Sequence, residues 1–518
     1  MKRSIALLLS LLMVLSMFTG CTNNAATTEA RDTLAIGAYD EEWVGADLIQ
    51  SDTFYDLQMM MAEPLFLYNH DTGELEGCLG TAPTFSEDGK TMTFEIPAGR
   101  KFANGAELGA DDVKASLEYA KAEGAMKDTF SIIQQIDVDG NKITLQLENY
   151  STAVLILLVS PFFCVIDTEQ FATMSKEELL WGAQPYGAYY IDTYVEGSSV
   201  TLKRNPYFQT LNPTIANKGP AGIETIQVNW YADEFAGITA FQTGEIQFLI
   251  NITEDGLEQC SKLDGVVTNS TLPPMVRNVQ MNTSDPILQD KNVRLAIAYL
   301  IDRDQIADAF GGPVCCTPAY SYITKNVMFH VEETDKWFKD TYCNDVEKGL
   351  ALLQEAGWTD SDGDKILDKN GQKLSLTFNT ATGKNETAAL AIQQQLQSYG
   401  FDINLQSMTS SLCNEKMKNK EYSLAMCNYW WSEPGRFLVN MFKDHNDFDE
   451  TEYRALVKEV ETTTDNELRF RLVDEAQRYL MDEMIVLPLY TTSYMKVYYE
   501  DIGKVKFIVD GLFTNDCK

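Results

Sequence analysis

The chain has 518 residues, 45% of them hydrophobic and 11% aromatic, which suits two or three packed domains and not a disordered or fibrous protein. Its 76 acidic against 41 basic residues give a formal charge of -35. That balance excludes a nucleic-acid binder, which needs clustered Lys and Arg, and opposes adsorption to anionic lipid; it suits a soluble surface and slightly favours a cationic ligand.

The N-terminus reads as an export signal. Lys2 and Arg3 precede an apolar run from Ile5 to Phe18, too short and wrongly flanked for a spanning helix. Phe18-Thr19-Gly20-Cys21 follows and resembles a bacterial lipobox, with Phe18 in place of the usual Leu. That resemblance implies lipidation at Cys21 and a polar tether from Thr22 to Glu29. No later stretch has enough consecutive apolar residues to span a membrane. Ten cysteines occur without a CxxC pair, and His70, His330 and His445 lie far apart, so zinc spacing is absent. Most cysteines are read as small buried residues, with room for one disulfide that spacing does not assign.

Thr33 to Gly37 predicts a strand, and Met92, Phe94 and Ile96 alternate as another. Asp111 is placed to cap a helix carrying Val113, Leu117 and Ala120. Strands are expected at 143–147, 200–203, 226–230 and 246–250, with a helix over 236–243. Past residue 290 the pattern turns helical, with caps expected at Asp290, Asp302 and Asp345. Leu374, Leu376 and Phe378 alternate, Asn385 is placed to cap a helix through Tyr399, and Phe401, Ile403 and Leu405 alternate again. This predicts a β-α-β unit with parallel strands. Helices near 451–461 and 466–483 precede Ile485-Val486-Leu487, a continuous apolar run expected to be a buried parallel strand.

Several segments in order then resemble the family-5 extracellular solute-binding proteins. They are Glu63-Pro64-Leu65-Phe66, Ser86-Glu87-Asp88-Gly89, Lys101-Phe102-Ala103-Asn104-Gly105 and Ala110-Asp111-Asp112-Val113. Gln184 to Tyr189, Arg204-Asn205-Pro206-Tyr207, Val293-Arg294-Leu295-Ala296, Ile301-Asp302-Arg303 and the helix from Lys348 to Gly357 continue the match.

The resemblance implies an α/β, two-lobed periplasmic-binding-protein-like fold (type II, cluster C) with an extra inserted domain. The implied division is a lipoprotein signal peptide at 1–20, a tether at 21–32, lobe I from 33–50, 186–285 and 490–518, the insert at 51–185, and lobe II at 286–489. Crossings near 285 and 488 would form the hinge. The implied function is capture of a small solute, a short peptide first, then a nickel chelate or cationic metabolite, for delivery to an ABC permease and its ATPase. A monomer held to the membrane at Cys21, with no cofactor and no resident metal, goes with this reading.

In peptide-binding relatives, a segment resembling Tyr429 to Pro434 carries an acid that pairs with the peptide amine. Here Trp430 occupies that position, and Glu433 is the nearby carboxylate that could pair with a cation. Tyr429, Trp430 and Trp431 could hold an apolar body or a cation, or simply pack. Tyr39 and Trp43, after the first strand, are cleft candidates on the same ground, against a surface-loop reading.

Two other classes remain, an exported hydrolase and a surface adhesin or chaperone-like protein using the same fold. Asp71-Thr72-Gly73 spells an aspartic-protease triplet without the second copy that proton-sharing carboxylates require, and reads as a turn. Asp360 to Asp364 resembles a calcium loop but has its Gly at the fourth position, so it reads as a solvated turn.

Overall fold

The computed structural model describes residues 31–39, 46–50, 55–70, 72–160, 162–343, 345–430, 433–441, 451–508 and 511–518. Cys21, Trp43, Asp71 and Trp431 lie outside the described residues, as do the export signal and the tether.

The chain opens with β1 (Thr33–Ala38). Before the next long strands it builds a separate antiparallel sheet from Thr84–Phe85, Thr91–Glu95, Lys142–Leu147 and Ile133–Asp139, in that spatial order. Helix α1 (Thr152–Val159) follows. Its sequence is apolar all round and all eight residues are buried, so it must be covered on every side. The chain returns through β2 (Tyr189–Val195), β3 (Ser199–Arg204), β4 (Thr225–Trp230), β5 (Phe248–Ile250) and β6 (Val266–Thr271).

It then crosses to a second sheet, entering at β7 (Met275–Met281) and continuing through β8 (Cys316–Pro318). The β-α-β unit follows as β9 (Ser375–Ala381), α2 (Lys384–Ser398) and β10 (Asp402–Met408). Helix α3 (Ser410–Lys418), β11 (Leu424–Trp430), α4 (Pro434–Asn440), α5 (Thr451–Thr462) and α6 (Asn466–Glu483) lead to β12 (Val486–Thr492). One residue later β13 (Tyr494–Tyr499) is back in the first sheet.

The first sheet runs β6-β13-β5-β1-β4-β3-β2 and the second β8-β12-β7-β11-β9-β10. In the first, β1 is parallel to β4 and β5. In the second, β9 is parallel to β10 and β11. The predicted parallel β-α-β unit is present, with Leu376 opposite Ile403 and Phe378 opposite Leu405.

Four local expectations are corrected. The run at Ile485 to Leu487 is buried, but its strand β12 is antiparallel to β7 and β8, because burial on both faces says nothing of strand direction. Asn385 does not cap α2; the helix starts at Lys384 behind Gly383, and the Asn385 side chain is bonded elsewhere. Asp111 lies inside its helix, where Gly109 is the cap and Asp112 accepts the Gly109 N–H at 2.9 Å. The one disulfide allowed for is absent among the described residues, where all nine cysteines are free, eight of them buried as expected.

The segment Glu63 to Phe66 ties the small sheet to the first large one. Glu63 is buried and accepts from the Cys78 thiol at 2.9 Å and from the Thr210 hydroxyl. Arg100, also buried, donates to the carbonyls of Leu79 and Cys78 beside it. Burial raises the Glu63 pKa above its ordinary 4.5, against the lowering pull of Cys78, Thr210 and Arg100. Folding therefore favours the protonated acid. The corresponding stability is fully present below the unfolded pKa and is lost as pH rises through the folded one. Glu63→Gln keeps an acceptor without the charge. Urea melts from about pH 4 to about pH 7 should show the wild type losing ground to Glu63→Gln as pH rises. A gain for the wild type would mean that the carboxylate form is the one the fold prefers.

Candidate functional site

Strand register places the site. In open α/β sheets a ligand sits beyond the carboxyl ends of the parallel strands. The carboxyl end of β5 lies beside the start of β13, with Ile250 opposite Lys496. The carboxyl end of β11 lies beside the start of β7, with Trp430 opposite Met275. Residues 272–274 and Ser493 are the two crossings between the sheets. Both parallel sets thus point their carboxyl ends toward the crossings. The crossings fall at 272–274 and 493, where the sequence suggested 285 and 488, because β7 and the end of β12 pair within the second sheet.

On the first-sheet side, Tyr39 follows β1, is half-buried, and donates its hydroxyl to the carbonyl of Asn251, just past β5. Asn251 has φ 60, a left-handed geometry that Asn tolerates better than most residues. On the second-sheet side, Tyr429 lies in β11. Its ring packs 6.5 Å from that of Phe437 in α4, and its hydroxyl lies 3.4 Å from Gln280 Oε1. Burial drives the Tyr429 phenol pKa well above 10. Trp430 ends the same strand.

Glu433 is fully buried. It accepts from the Thr152 hydroxyl at 2.6 Å and from the Gly435 N–H at 2.7 Å. Thr152 starts α1, so this carboxylate joins the inserted segment to the second sheet's helices. The aromatic and acidic segment therefore divides: Tyr429 packs, and Glu433 is held by an interdomain contact. The Tyr150 phenol lies close by. Burial raises its pKa, Arg469 lowers it and Glu433 raises it, which sets all three groups around one junction.

Four polar residues near the crossings were not among the site candidates of the sequence, although Asn385 was expected as a helix cap. Arg277 in β7 is half-buried beside Asn428 of β11, its cross-strand partner. Asn428 is exposed although β11 is an inner strand, so the sheet face is open there. Asn385 and Thr492 complete the group through their bonds to Arg277, at 3.0 Å each. No periodicity signals them, because each comes from a different element.

Two cavities lie between the inserted segment and the loops around 325–333. One of about 440 Å³ is lined by Tyr68 and Ile156 of the inserted segment, by Thr271 at the end of β6, and by Lys325 and Lys506 among others. A larger one, about 660 Å³, is lined by His70, His330, Arg471 and Asp474 among others. The carboxylates of Asp360, Asp362 and Asp368 approach within 4.8 Å of one another, at the turn already read as solvated. Ser361 N–H and hydroxyl donate to Asp368, and the N–H groups of Gly363 and Lys365 donate to Asp360. The turn thus uses its own acids. No described helix is long and apolar enough to cross a membrane.

Comparison with known proteins agrees with this geometry. The oligopeptide-binding protein AppA of Bacillus subtilis is 24% identical over 468 residues, covering 83% of this chain and 81% of the relative. The nickel-binding periplasmic protein of Escherichia coli is 24% identical over 485 residues, 87% of each. Among solved structures, NikA from Brucella suis in complex with Fe(III)-EDTA superposes with a TM-score of 0.78 at 22% identity, covering 93% of this chain and 99% of that one. AppA from Bacillus subtilis in complex with a nonapeptide gives 0.66 at 18% identity, covering 93% and 97%. These likenesses show the two-lobed fold. The family model for bacterial extracellular solute-binding proteins, family 5 middle, matches residues 74–449, and the chain belongs to that family of solute-binding proteins.

Proposed function

We propose that this protein is the receptor of an ABC importer: it captures a small solute between its lobes and passes it unaltered to a permease. The observation that carries the reading is the register that turns both parallel strand sets toward the same two crossings. Lobe I then comprises 33–50, 186–271 and 494–518, with 51–185 inserted in it, and lobe II comprises 275–492. The links at 272–274 and 493 act as the hinge, and closure is stabilised only by a solute with higher affinity for the closed form. Relatives named for oligopeptides and for nickel support a short peptide or a metal chelate as cargo. The lipobox-like segment before Cys21 supports a lipid anchor on the outer face of the cell membrane, and the receptor works as a monomer without bond-making chemistry.

A thermal-shift screen of the mature protein tests this. Short peptides, nickel chelates and sugars are the panel, since a true ligand raises the melting temperature by mass action. At least one peptide or chelate should raise it, and silence across the whole panel would defeat the receptor reading. Glu433→Gln belongs in the same screen. Because Glu433 is tied to Thr152, the substitution should lower the unliganded melting temperature and leave affinity unchanged. Selective loss of cationic ligands would return Glu433 to the binding site.

A further inference from the structure

Resting on the receptor reading, we infer that the cargo carries a carboxylate or an equivalent oxyanion, and that Arg277 is the residue that recognises it.

Arg277 is the third residue of β7, three residues past the first crossing, and its cross-strand neighbour is the exposed Asn428. Its second neighbour strand, β12, ends at the second crossing. The guanidinium therefore sits between the two hinge links, at the carboxyl end of the parallel strands, on an open part of the sheet.

Its partners are all neutral. Nε donates to Asn385 Oδ1 and Nη1 to Thr492 Oγ1, both at 3.0 Å. The group lies 5.8 Å from the centre of the Tyr490 ring. These contacts fix the plane of the fork and use two of its five N–H donors. Among the described residues no carboxylate lies within ion-pair distance of it. The fully buried arginines differ. Arg294 pairs with Glu483 at 3.6 Å, while Arg100, Arg303 and Arg469 point donors at backbone carbonyls. In a chain with 76 acidic residues, a half-buried cation with neutral partners and spare donors is set apart.

Closing the lobes removes water from this charge. An uncompensated buried guanidinium is costly, whereas a carboxylate paired through two parallel N–H bonds is among the stronger polar contacts. A cargo oxyanion supplies in the closed form the counter-charge that the protein does not. On the first-sheet side, Glu254 lies against Gly311 and Cys315 in the neighbouring loop, and Asp56 is already paired with Lys496 at 3.3 Å. The same electrostatics link closure to cargo, because the anion gains most when water is excluded.

Two sources of the group are chemically alike at this point: the C-terminus of a peptide and the carboxylates of a metal chelator. The test separates them. Wild type, Arg277→Gln and Arg277→Lys are screened by thermal shift and titration calorimetry. The probes are a short-peptide library as free acids, the same library as C-terminal amides, citrate with and without nickel, and neutral sugars. The inference expects binding by free-acid peptides or by citrate, none by the amides, and a loss of roughly tenfold to a hundredfold in Arg277→Gln. Arg277→Lys should recover part of that loss. Free acids identify a peptide C-terminus, and citrate identifies a chelator. Amides that bind wild type as well as the acids do would overturn the inference without any variant. So would wild-type affinity in Arg277→Gln. Binding of neutral sugars alone, equal in both proteins, refutes the carboxylate and leaves the receptor reading intact. A panel with no binder removes both.

Discussion

Arg469→Met should cost the protein about 4 kcal/mol. Arg469 sits in the first turns of α6 and is fully buried. Its Nε donates to the Val460 carbonyl at 3.1 Å, and Nη2 donates to the Thr463 carbonyl. Those carbonyls close the C-terminal end of α5, where the last carbonyls lack partners within the helix. A cation there also meets the negative end of the helix dipole. The guanidinium is flanked by Tyr150 at 5.1 Å and Phe329 at 4.7 Å, so it joins the inserted segment to lobe II as well. Met fills similar volume and supplies no donor, leaving the buried Val460 carbonyl and the half-buried Thr463 carbonyl without the guanidinium. Chemical denaturation should show the loss as a lower midpoint. A midpoint within error of wild type would mean that water or another donor replaces the guanidinium.

Gly187→Ala is expected to cost about 3 kcal/mol by overpacking. A Cβ on Gly187 would overlap the carbonyl carbon and oxygen of Met61 and lie 2.8 Å from the Ala62 nitrogen. All three are backbone atoms, which cannot rotate away. The two segments are already locked, since the Glu63 N–H donates to the Tyr186 carbonyl at 2.7 Å and Asn205 donates to the Gly187 carbonyl at 3.2 Å. Relief would require moving the inserted segment off lobe I. A lower melting temperature with an unchanged cargo affinity per folded molecule is the expected pair of results. An unaltered melting temperature would show that the joint is looser than this packing implies.

Much of the fold was legible because local rules act over short spans. The alternation at Leu374 to Phe378 and Ile403 to Leu405, with an amphipathic helix between, dictated a parallel pair, since a connection of that length permits nothing simpler. Asp290, Asp302 and Asp345 all serve as the caps expected, each accepting a backbone N–H a few residues on. The reading failed where a choice depended on a distant partner. Asn385 had the composition of a cap, yet its side chain is held by Arg277, 108 residues away. The run at Ile485 to Leu487 was rightly placed in a core, but its direction depends on β7 and β8.

The candidate site shows the same division. Tyr429, Trp430 and Glu433 stood out as an aromatic and acidic segment, and local sequence determined that they belong to one strand end and the turn after it. What Glu433 does there is decided by Thr152, 281 residues upstream, which no spacing rule connects to it. Arg277 was inconspicuous among 41 basic residues. Only the second sheet's register sets it between the two crossings with neutral partners. By itself, then, the amino-acid order determined the elements, their caps and the family pattern, because these follow from propensity and periodicity within a few turns. Tertiary structure decided which charges pair within the fold and which keep neutral partners, because electrostatic pairing depends on distances across the fold.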